Sequence, residues 1–305
     1  GMLPSLNFNW RHPALKSLGL MMLPSAYGAA IYQINVIVIT LLASFLPHGT
    51  VSYLWYADRV SEFPLGIFAI AVATATLPTL SDHAADKDIV SFKETANYGL
   101  RLAFLIDIPA AAGLFILSFP IVRMLFERGV FSEQASIATS QTLQMFALGI
   151  PFVSGVRNLV PAFFALRSPR TPVMIATLAL FWNAAVALLL MKPLLHMGLA
   201  LAMASSSVMN FFLLLYLFRR KVGPIGGRRL LMSVARTIVA SSIMCAVLLA
   251  VIHLGGFLST GGAYQRATVL LALIAASFII YIAVIRAISP DEYQAVVGMI
   301  RKRRG

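Results

Sequence analysis

Four charged residues stand where charge is expensive. Asp58, Arg59 and Glu62 fall inside one long apolar run, and Arg157 falls inside another. An ionised side chain at the centre of a membrane helix costs about 2.5–3.5 kcal/mol on insertion scales. Arg59 lies roughly eight residues past one end of its run, so about 12 Å deep at a rise of about 1.5 Å per residue. Positions 58 and 62 are i,i+4 and positions 59 and 62 are i,i+3, so all three can share one helical face. The chemistry on offer is anion binding. The planar guanidinium of Arg59 can donate two hydrogen bonds to a phosphate, and the neighbouring carboxylates would tune it. The other reading is an internal Arg–carboxylate pair that locks helices together. Arg157 either lines the same cavity or extends along its helix to a basic interface; its position, about eight residues before the turn at Leu166-Arg167, favours the interface at about 1.5 Å per residue.

Other polar groups sit within apolar runs. Asp107 lies midway along a third run, just before Pro109, with no partner evident in sequence. It reads as half of a buried pair, a protonated acid or a proton-linked group. Arg101 and Arg236 stand near run ends and read as interfacial anchors. Asn35, Asn183 and Asn210 call only for interhelical hydrogen bonds. No Gly-x-Ser-x-Gly elbow, P-loop or His-Glu-x-x-His is found, so an enzyme is not expected. The single Cys245 and the five scattered histidines give no metal-ligand spacing. No metal and no cofactor is expected, and a transport or scaffold role remains.

The elements that must hold these residues are membrane helices. Of 305 residues, 59% are hydrophobic and 11% charged, with a mean hydropathy of +0.85, against roughly 25% charged for a soluble domain. Apolar runs of about 20 residues, each long enough to cross a bilayer core of about 30 Å, recur along the chain. They are solid rather than alternating, which argues against a β-barrel and for helices that satisfy their own backbone. Eight spans are expected: 18–46, 51–80, 96–118, 136–164, 172–192, 197–218, 230–254 and 265–287. Residues 119–135 read as an amphipathic loop at the outer interface. Ser132 is placed to cap the fourth span, and Pro172 suits the first turn of the fifth. The run Gly1-Met2-Leu3-Pro4 is no signal peptide, and the basic stretch around Arg11 and Lys16 looks like an inter-helix loop, as though the chain were a portion of something longer.

Loop charge sets an expected topology. One set of loops holds Arg11, Lys16, Lys87, Lys93, Arg167, Arg170, Arg219, Arg220, Lys221, Arg228, Arg229 and the tail Arg301, Lys302, Arg303 and Arg304; the other holds only Arg123, Arg128, Lys192 and Arg266. The positive-inside rule puts the first set, with both chain termini, in the cytoplasm. The tail can also meet anionic membrane lipids. The net charge of +13 is explained by these loops, so no nucleic-acid partner is expected.

The second span carries a resemblance. Val51-Ser52-Tyr53-Leu54-Trp55-Tyr56-Ala57-Asp58-Arg59-Val60, followed by Phe63-Pro64-Leu65-Gly66, is similar to the MurJ (MviN) lipid II flippase family of the MOP superfamily. So are Ala75-Thr76-Leu77-Pro78-Thr79-Leu80-Ser81, Leu125-Phe126-Glu127-Arg128-Gly129-Val130-Phe131, and Val160-Pro161-Ala162-Phe163-Phe164-Ala165 with Thr171-Pro172-Val173. The matches occur in order over most of the chain up to about residue 220. The resemblance implies an all-α integral membrane fold with eight transmembrane helices: the C-terminal six-helix lobe of a MOP-type transporter plus two extra helices, spans seven to fourteen of the family. It divides the chain into a cytoplasmic inter-lobe loop (1–17), the lobe (18–220), two additional spans forming a lipid-tail groove (221–287) and a basic cytoplasmic tail (288–305).

It further implies a multi-pass protein of the bacterial cytoplasmic (inner) membrane that serves peptidoglycan synthesis. Such a protein would flip lipid II, an undecaprenyl pyrophosphate carrying a disaccharide-pentapeptide, by alternating access. A cationic cavity would bind the pyrophosphate, through Arg59 and Glu62 at matching family positions, Asp58 in the same motif and, more weakly, Arg157. Its partners would be lipid II, membrane lipids and a missing N-terminal lobe of the same protein. The alternatives are a MOP-type exporter of another polyprenyl-linked glycan or small molecule, an inactive half-transporter, or a scaffold. One departure stands out. Some relatives bind a cation through acidic groups in the first and fifth of these spans, where this chain has Ile39 and, one turn after Asn183, Ala187.

Overall fold

The computed structural model describes residues 13–255, 263–290 and 292–294. The stretch around Arg11 and the basic tail Arg301–Arg304 lie outside the described residues, as do the side chains of residues 13–26. The described chain is helical almost throughout. Its elements are α1 (Pro13–Ser44), α2 (Thr50–Pro64), a π-helical segment (Leu65–Ala69), α3 (Ile70–Ala85), α4 (Ile89–Phe126), α5 (Glu133–Ala165), α6 (Arg170–Val222), α7 (Gly227–Gly255) and α8 (Ala263–Ile288).

Five described helices, α4 to α8, are long and apolar enough to cross a membrane. The first two expected spans differ for local reasons. In α1 the described apolar stretch is limited to Ala30–Ser44. The second span is interrupted at Pro64, which has no N–H to donate and whose ring crowds the preceding turn. The chain absorbs this with the π segment Leu65–Ala69 and then resumes as α3, a usual device for carrying a kink without ending a helix.

The fifth and sixth expected spans are the two halves of α6, which are separated by a kink at Leu195 (φ 50°, ψ −128°) just after Pro193. The two halves fold back on each other. The Ser206 hydroxyl donates to the Ala179 carbonyl at 2.7 Å, and the Trp182 indole N–H donates to Ser205 at 3.4 Å. The bend is so tight that a Cβ on Gly198 would lie 2.2 Å from the Leu190 carbonyl oxygen. Only glycine fits there.

Helix starts follow their caps. Asp88 accepts from the Ser91 amide at 3.1 Å and its hydroxyl at 2.6 Å, opening α4; these bonds hold the exposed Asp88 carboxyl below the usual carboxylate range. Ser132 accepts from the Ala135 amide at 3.3 Å and opens α5 as its sequence position suggests. The segment 119–135 is not one loop. Residues 119–126 are the last two turns of α4, and only 127–132 connect. Those turns persist because Arg123 pairs with Glu127 at 3.0 Å one turn on and because Phe126 and Phe131 pack around Tyr56 at 4.6 and 5.3 Å between centroids.

Two apolar cores join α1–α6. At the end where the connections 86–88, 166–169 and 223–226 lie, each holding or flanked by Lys or Arg, Phe92, Phe104, Leu159, Phe163, Phe211 and Phe218 pack together. Toward the opposite end, Ile39, Ala43, Leu54, Ala57, Leu143, Ala187 and Leu199 form the second core. Lipid removes most of the hydrophobic drive between helices, so close contact of small residues matters. Gly149 shows this, since a Cβ there would lie 3.1 Å from the Ala204 Cα.

Helices α7 and α8 pack on each other and on α4, through Leu105, Met244, Tyr281 and Ile285 and through Leu117, Leu248 and Leu270. The Tyr281 hydroxyl donates to the Leu105 carbonyl at 2.6 Å. Arg101 and Arg236, expected as interfacial anchors, both reach the segment after α8. Arg101 pairs with Glu292, and Arg236 donates to the Ser289 hydroxyl at 3.1 Å, so both hold the segment after α8 against the bundle. Glu292 is buried. Glu292→Gln is expected to lower unfolding stability by about 1.5–3 kcal/mol, the range for a hydrogen bond to a charged group. Thermal unfolding of the purified protein in detergent checks this, and an unchanged midpoint would show the contact to be idle.

Candidate functional site

A cleft of about 320 Å³ opens among α1, α2, α5 and α6. Its α5 wall is a single helical stripe of Phe146, Gly149, Ile150, Val153, Val156 and Arg157, the i, i+3, i+4 spacing of one face. The small residues Gly149 and Ala204 let α5 and α6 meet at its base. Tyr32 and Asn35 of α1, Asp58 and Glu62 of α2, and Ser206, Ser207 and Asn210 of α6 supply the polar lining.

The central contact crosses the cleft. One terminal nitrogen of Arg157, Nη2, donates to both carboxylate oxygens of Glu62, at 2.9 and 3.2 Å. The pair is only part-buried, with side-chain exposures of 29% and 37%. The other terminal nitrogen, Nη1, is buried and has no partner. The cleft therefore holds an arginine that is paired but not used up. The extension of Arg157 to a basic interface is not what the fold adopts; the side chain turns into the cleft instead.

Of the expected α2 trio, two members line the cleft together. Asp58 and Glu62 are one turn apart and both face it. Arg59 is one residue on, about 100° around the helix at 3.6 residues per turn, and it does not line the cleft. It is exposed, with its guanidinium carbon 4.4 Å from the centroid of the Trp55 ring. Such stacking holds an arginine without consuming its donors. Among the cleft-lining residues Asp58 and Glu62 thus face Arg157 alone. The lining by itself is not cationic, and the adjacent Arg59 only balances it.

The intramembrane asparagines behave in two ways. Asn183 donates to Asn35 at 2.6 Å, joining α6 to α1. Asn210 leaves its carbonyl oxygen buried and unpartnered beside the cleft. Ile39 and Ala187, at the positions where some relatives carry acids, are both packed in the apolar core. Among the described residues no group of three or more His, Cys, Asp or Glu side chains comes together to hold a metal ion. Asp107 is fully buried, and Ser154 donates to its Oδ2.

Tyr32 is the lining residue that the charged residues did not point to. Its signal lay in the i,i+3 pairing with Asn35 within an apolar run, as Ser206 pairs at i,i+4 with Asn210. A polar stripe on one face of a membrane helix marks the side turned from lipid.

Residues 1–261 match the family model "Lipid II flippase MurJ". The "Probable lipid II flippase MurJ" of Haemophilus influenzae is 36% identical over 220 residues, covering 70% of this chain and 43% of that protein. Among solved structures, "Lipid II flippase MurJ, inward closed conformation" superposes with a TM-score of 0.74 at 26% identity, covering 92% of this chain and 56% of that one. A multidrug resistance MATE family transporter of the MOP superfamily, in an outward-facing conformation, superposes with a TM-score of 0.57 at 14% identity, over 92% of this chain and 67% of that one; this is a likeness of fold alone. The chain spans about half the length of the curated relatives it matches.

Proposed function

Because the chain belongs to the lipid II flippase MurJ family, a family of multi-pass membrane transporters rather than enzymes, we propose that it supplies one lobe of a flippase carrying lipid II to the outer leaflet. The observation that carries the reading is the Arg157–Glu62 pair across the cleft. A guanidinium that holds an internal carboxylate by one nitrogen can exchange it for a pyrophosphate, which offers more acceptor oxygens and more charge. Glu62 then stands free beside the bound anion and repels it, which favours release once the cleft opens to the other side. Arg59, stacked on Trp55 with its donors available, is the second cation for the head group. Since the lining is not cationic by itself, further positive charge comes from a second lobe facing this one.

The topology that accompanies this reading has eight membrane passages. Helix α1, the α2–π–α3 run, α4, α5 and the two halves of α6 make the six-helix lobe of residues 18–220. Helices α7 and α8, within 221–287, make an added pair whose surface beside α4 receives the polyprenyl tail. The chain corresponds to the C-terminal portion of its relatives. The basic connections, the inter-lobe stretch 1–17 and the tail 288–305 face the cytoplasm of a bacterial inner membrane.

The reading is tested by lipid II binding to the purified full-length protein in nanodiscs, with inorganic pyrophosphate as competitor. Pyrophosphate is expected to displace lipid II, and Arg157→Gln to weaken binding by at least tenfold, about 1.4 kcal/mol. Binding indifferent to pyrophosphate would favour a transporter of another cargo.

A further inference from the structure

We infer that Asp107 is a proton-binding site and that Arg157 reports its occupancy to the cleft. Asp107 lies midway along α4, is fully buried, and does not line the cleft. The Ser154 hydroxyl donates to its Oδ2, while its Oδ1 is buried with no partner. No described cation pairs with it. An ionised carboxylate so placed would be held by one neutral donor in a dry interior, which is costly. The same site holds the neutral acid at little cost, so the carboxyl group is built to take up and release a proton.

The link to the cleft is one turn of α5. Ser154, Arg157 and Asn158 stand at i, i+3 and i+4, so they share a face. Asn158 donates to the Ser154 carbonyl at 2.9 Å, and its own side-chain oxygen is buried and unpartnered. Arg157 has Nη2 on Glu62 and Nη1 buried and unpartnered. Two unsatisfied polar atoms on packed helices, a donor on Arg157 of α5 and an acceptor on Asp107 of α4, mark an arrangement with a second state. With Asp107 neutral, Arg157 belongs to Glu62. With Asp107 ionised, the guanidinium gains a second carboxylate to serve, and its hold on Glu62 loosens.

The other groups around Asp107 offer no competing charge. Arg157 of α5 is the charged group whose field reaches it, with Glu62 and Asp58 of α2 behind that arginine. The π segment and α3 present Leu65, Ala69 and Val72 to α4. Helices α7 and α8 present Cys245 and Tyr281 to the same stretch, and the Tyr281 hydroxyl is already bonded to the Leu105 carbonyl. On α4 itself Arg101 is taken by Glu292. The chemical step is a simple protonation: an O–H bond forms on Asp107, and the proton comes from and returns to water.

The inference uses the cleft reading only in that Arg157 lines the cleft, and its test reads the proton rather than transport. Infrared difference spectra of the full-length protein in nanodiscs would be recorded as pH is raised. The expected result is a carboxylic-acid carbonyl band, sensitive to deuteration, that disappears with pH and is missing in Asp107→Asn. Ser154→Ala keeps the acid but removes its donor, so the band should move to higher frequency; this arm holds even if Asp107→Asn folds poorly. Glu62→Gln releases Arg157 to the ionised form, so the titration midpoint should fall by about one pH unit, a tenfold loss of proton affinity. A band unchanged in both Asp107→Asn and Ser154→Ala would overturn the proton site. A midpoint unmoved by Glu62→Gln would overturn the link to the cleft. Neither outcome touches lipid II binding, which fails or stands on its own titration.

Discussion

Arg59→Ala, placed in the full-length protein, is expected to abolish rescue of flippase-depleted cells while the membrane level of the protein stays normal. Arg59 packs on Trp55 at the surface of α2 rather than in a core. Its loss therefore removes the donor proposed for the head group more than a structural contact. A hydrogen bond to a charged group is worth roughly 1.5–3 kcal/mol, and even the lower figure is about a tenfold loss of affinity for the anion. Arg59→Lys keeps the charge but loses the planar fork, so partial rescue is expected. Arg59→Glu should be worse than alanine, because it sets a third carboxylate beside Asp58 and Glu62. Complementation with quantified protein level is the measurement. Full rescue by Arg59→Ala would remove Arg59 from the mechanism.

Gly198→Val is expected to prevent the α6 hairpin from forming. A Cβ at this position would stand 2.2 Å from a backbone carbonyl oxygen, and 2.6 Å from its carbon. Backbone atoms cannot swing aside as the end of a flexible side chain can. Overpacking ordinarily costs about 1–3 kcal/mol; here the clash meets a backbone already turned to φ 50° at Leu195, so the upper end or beyond is expected. The halves of α6 would then lose the Ser206–Ala179 bond and the packing of Ala187 against Leu199 in one core. The readout is the amount of folded protein by fluorescence-detected size exclusion, together with its thermal midpoint. Gly113→Val, where no atom lies within 4 Å of the added Cβ, is the matched control and should fold normally. Equal yields of the two variants would show that the tight turn is not needed.

Much of the fold is legible in the order of apolar runs, because lipid restricts a spanning chain to helices. The fourth expected span, 136–164, lies inside α5 at 133–165, since Ser132 caps its start and the positive-φ Arg167 follows its end. The third, 96–118, is shorter than α4 at 89–126. Pro120, Arg123 and Glu127 look like loop residues by type, yet the proline sits within the helix and the two charges pair one turn apart. The break in the second span was foreshadowed by Pro64, but its π geometry was not, because proline signals a lost hydrogen bond and not how the chain repairs it.

The site was legible in its cost and not in its pairing. Placing Asp58, Glu62 and Arg157 inside apolar runs is expensive, and that position singles them out in the sequence. Which of them meet depends on helices far apart in sequence. Arg157 finds Glu62 across 95 positions, and Arg101 finds Glu292 across 191. No local spacing encodes either. The same limit explains why sequence puts Arg59 on one face with Asp58 and Glu62. Helical spacing permits 58, 59 and 62 to share a face, but the contacts of α2 with α5 turn 58 and 62 into the cleft and leave 59 on its flank.

The account turns on whether the Arg157–Glu62 pair is a latch that the head group opens. Lipid II affinity measured for wild type, Glu62→Gln, Arg157→Gln and the double variant answers this directly. A latch predicts tighter binding in Glu62→Gln, because Arg157 no longer has to leave a carboxylate, weaker binding in Arg157→Gln, and no gain from Glu62→Gln once Arg157 is gone. Affinity unchanged or weakened in Glu62→Gln, or independent of Arg157, would contradict it and leave the pair as a strut between α2 and α5.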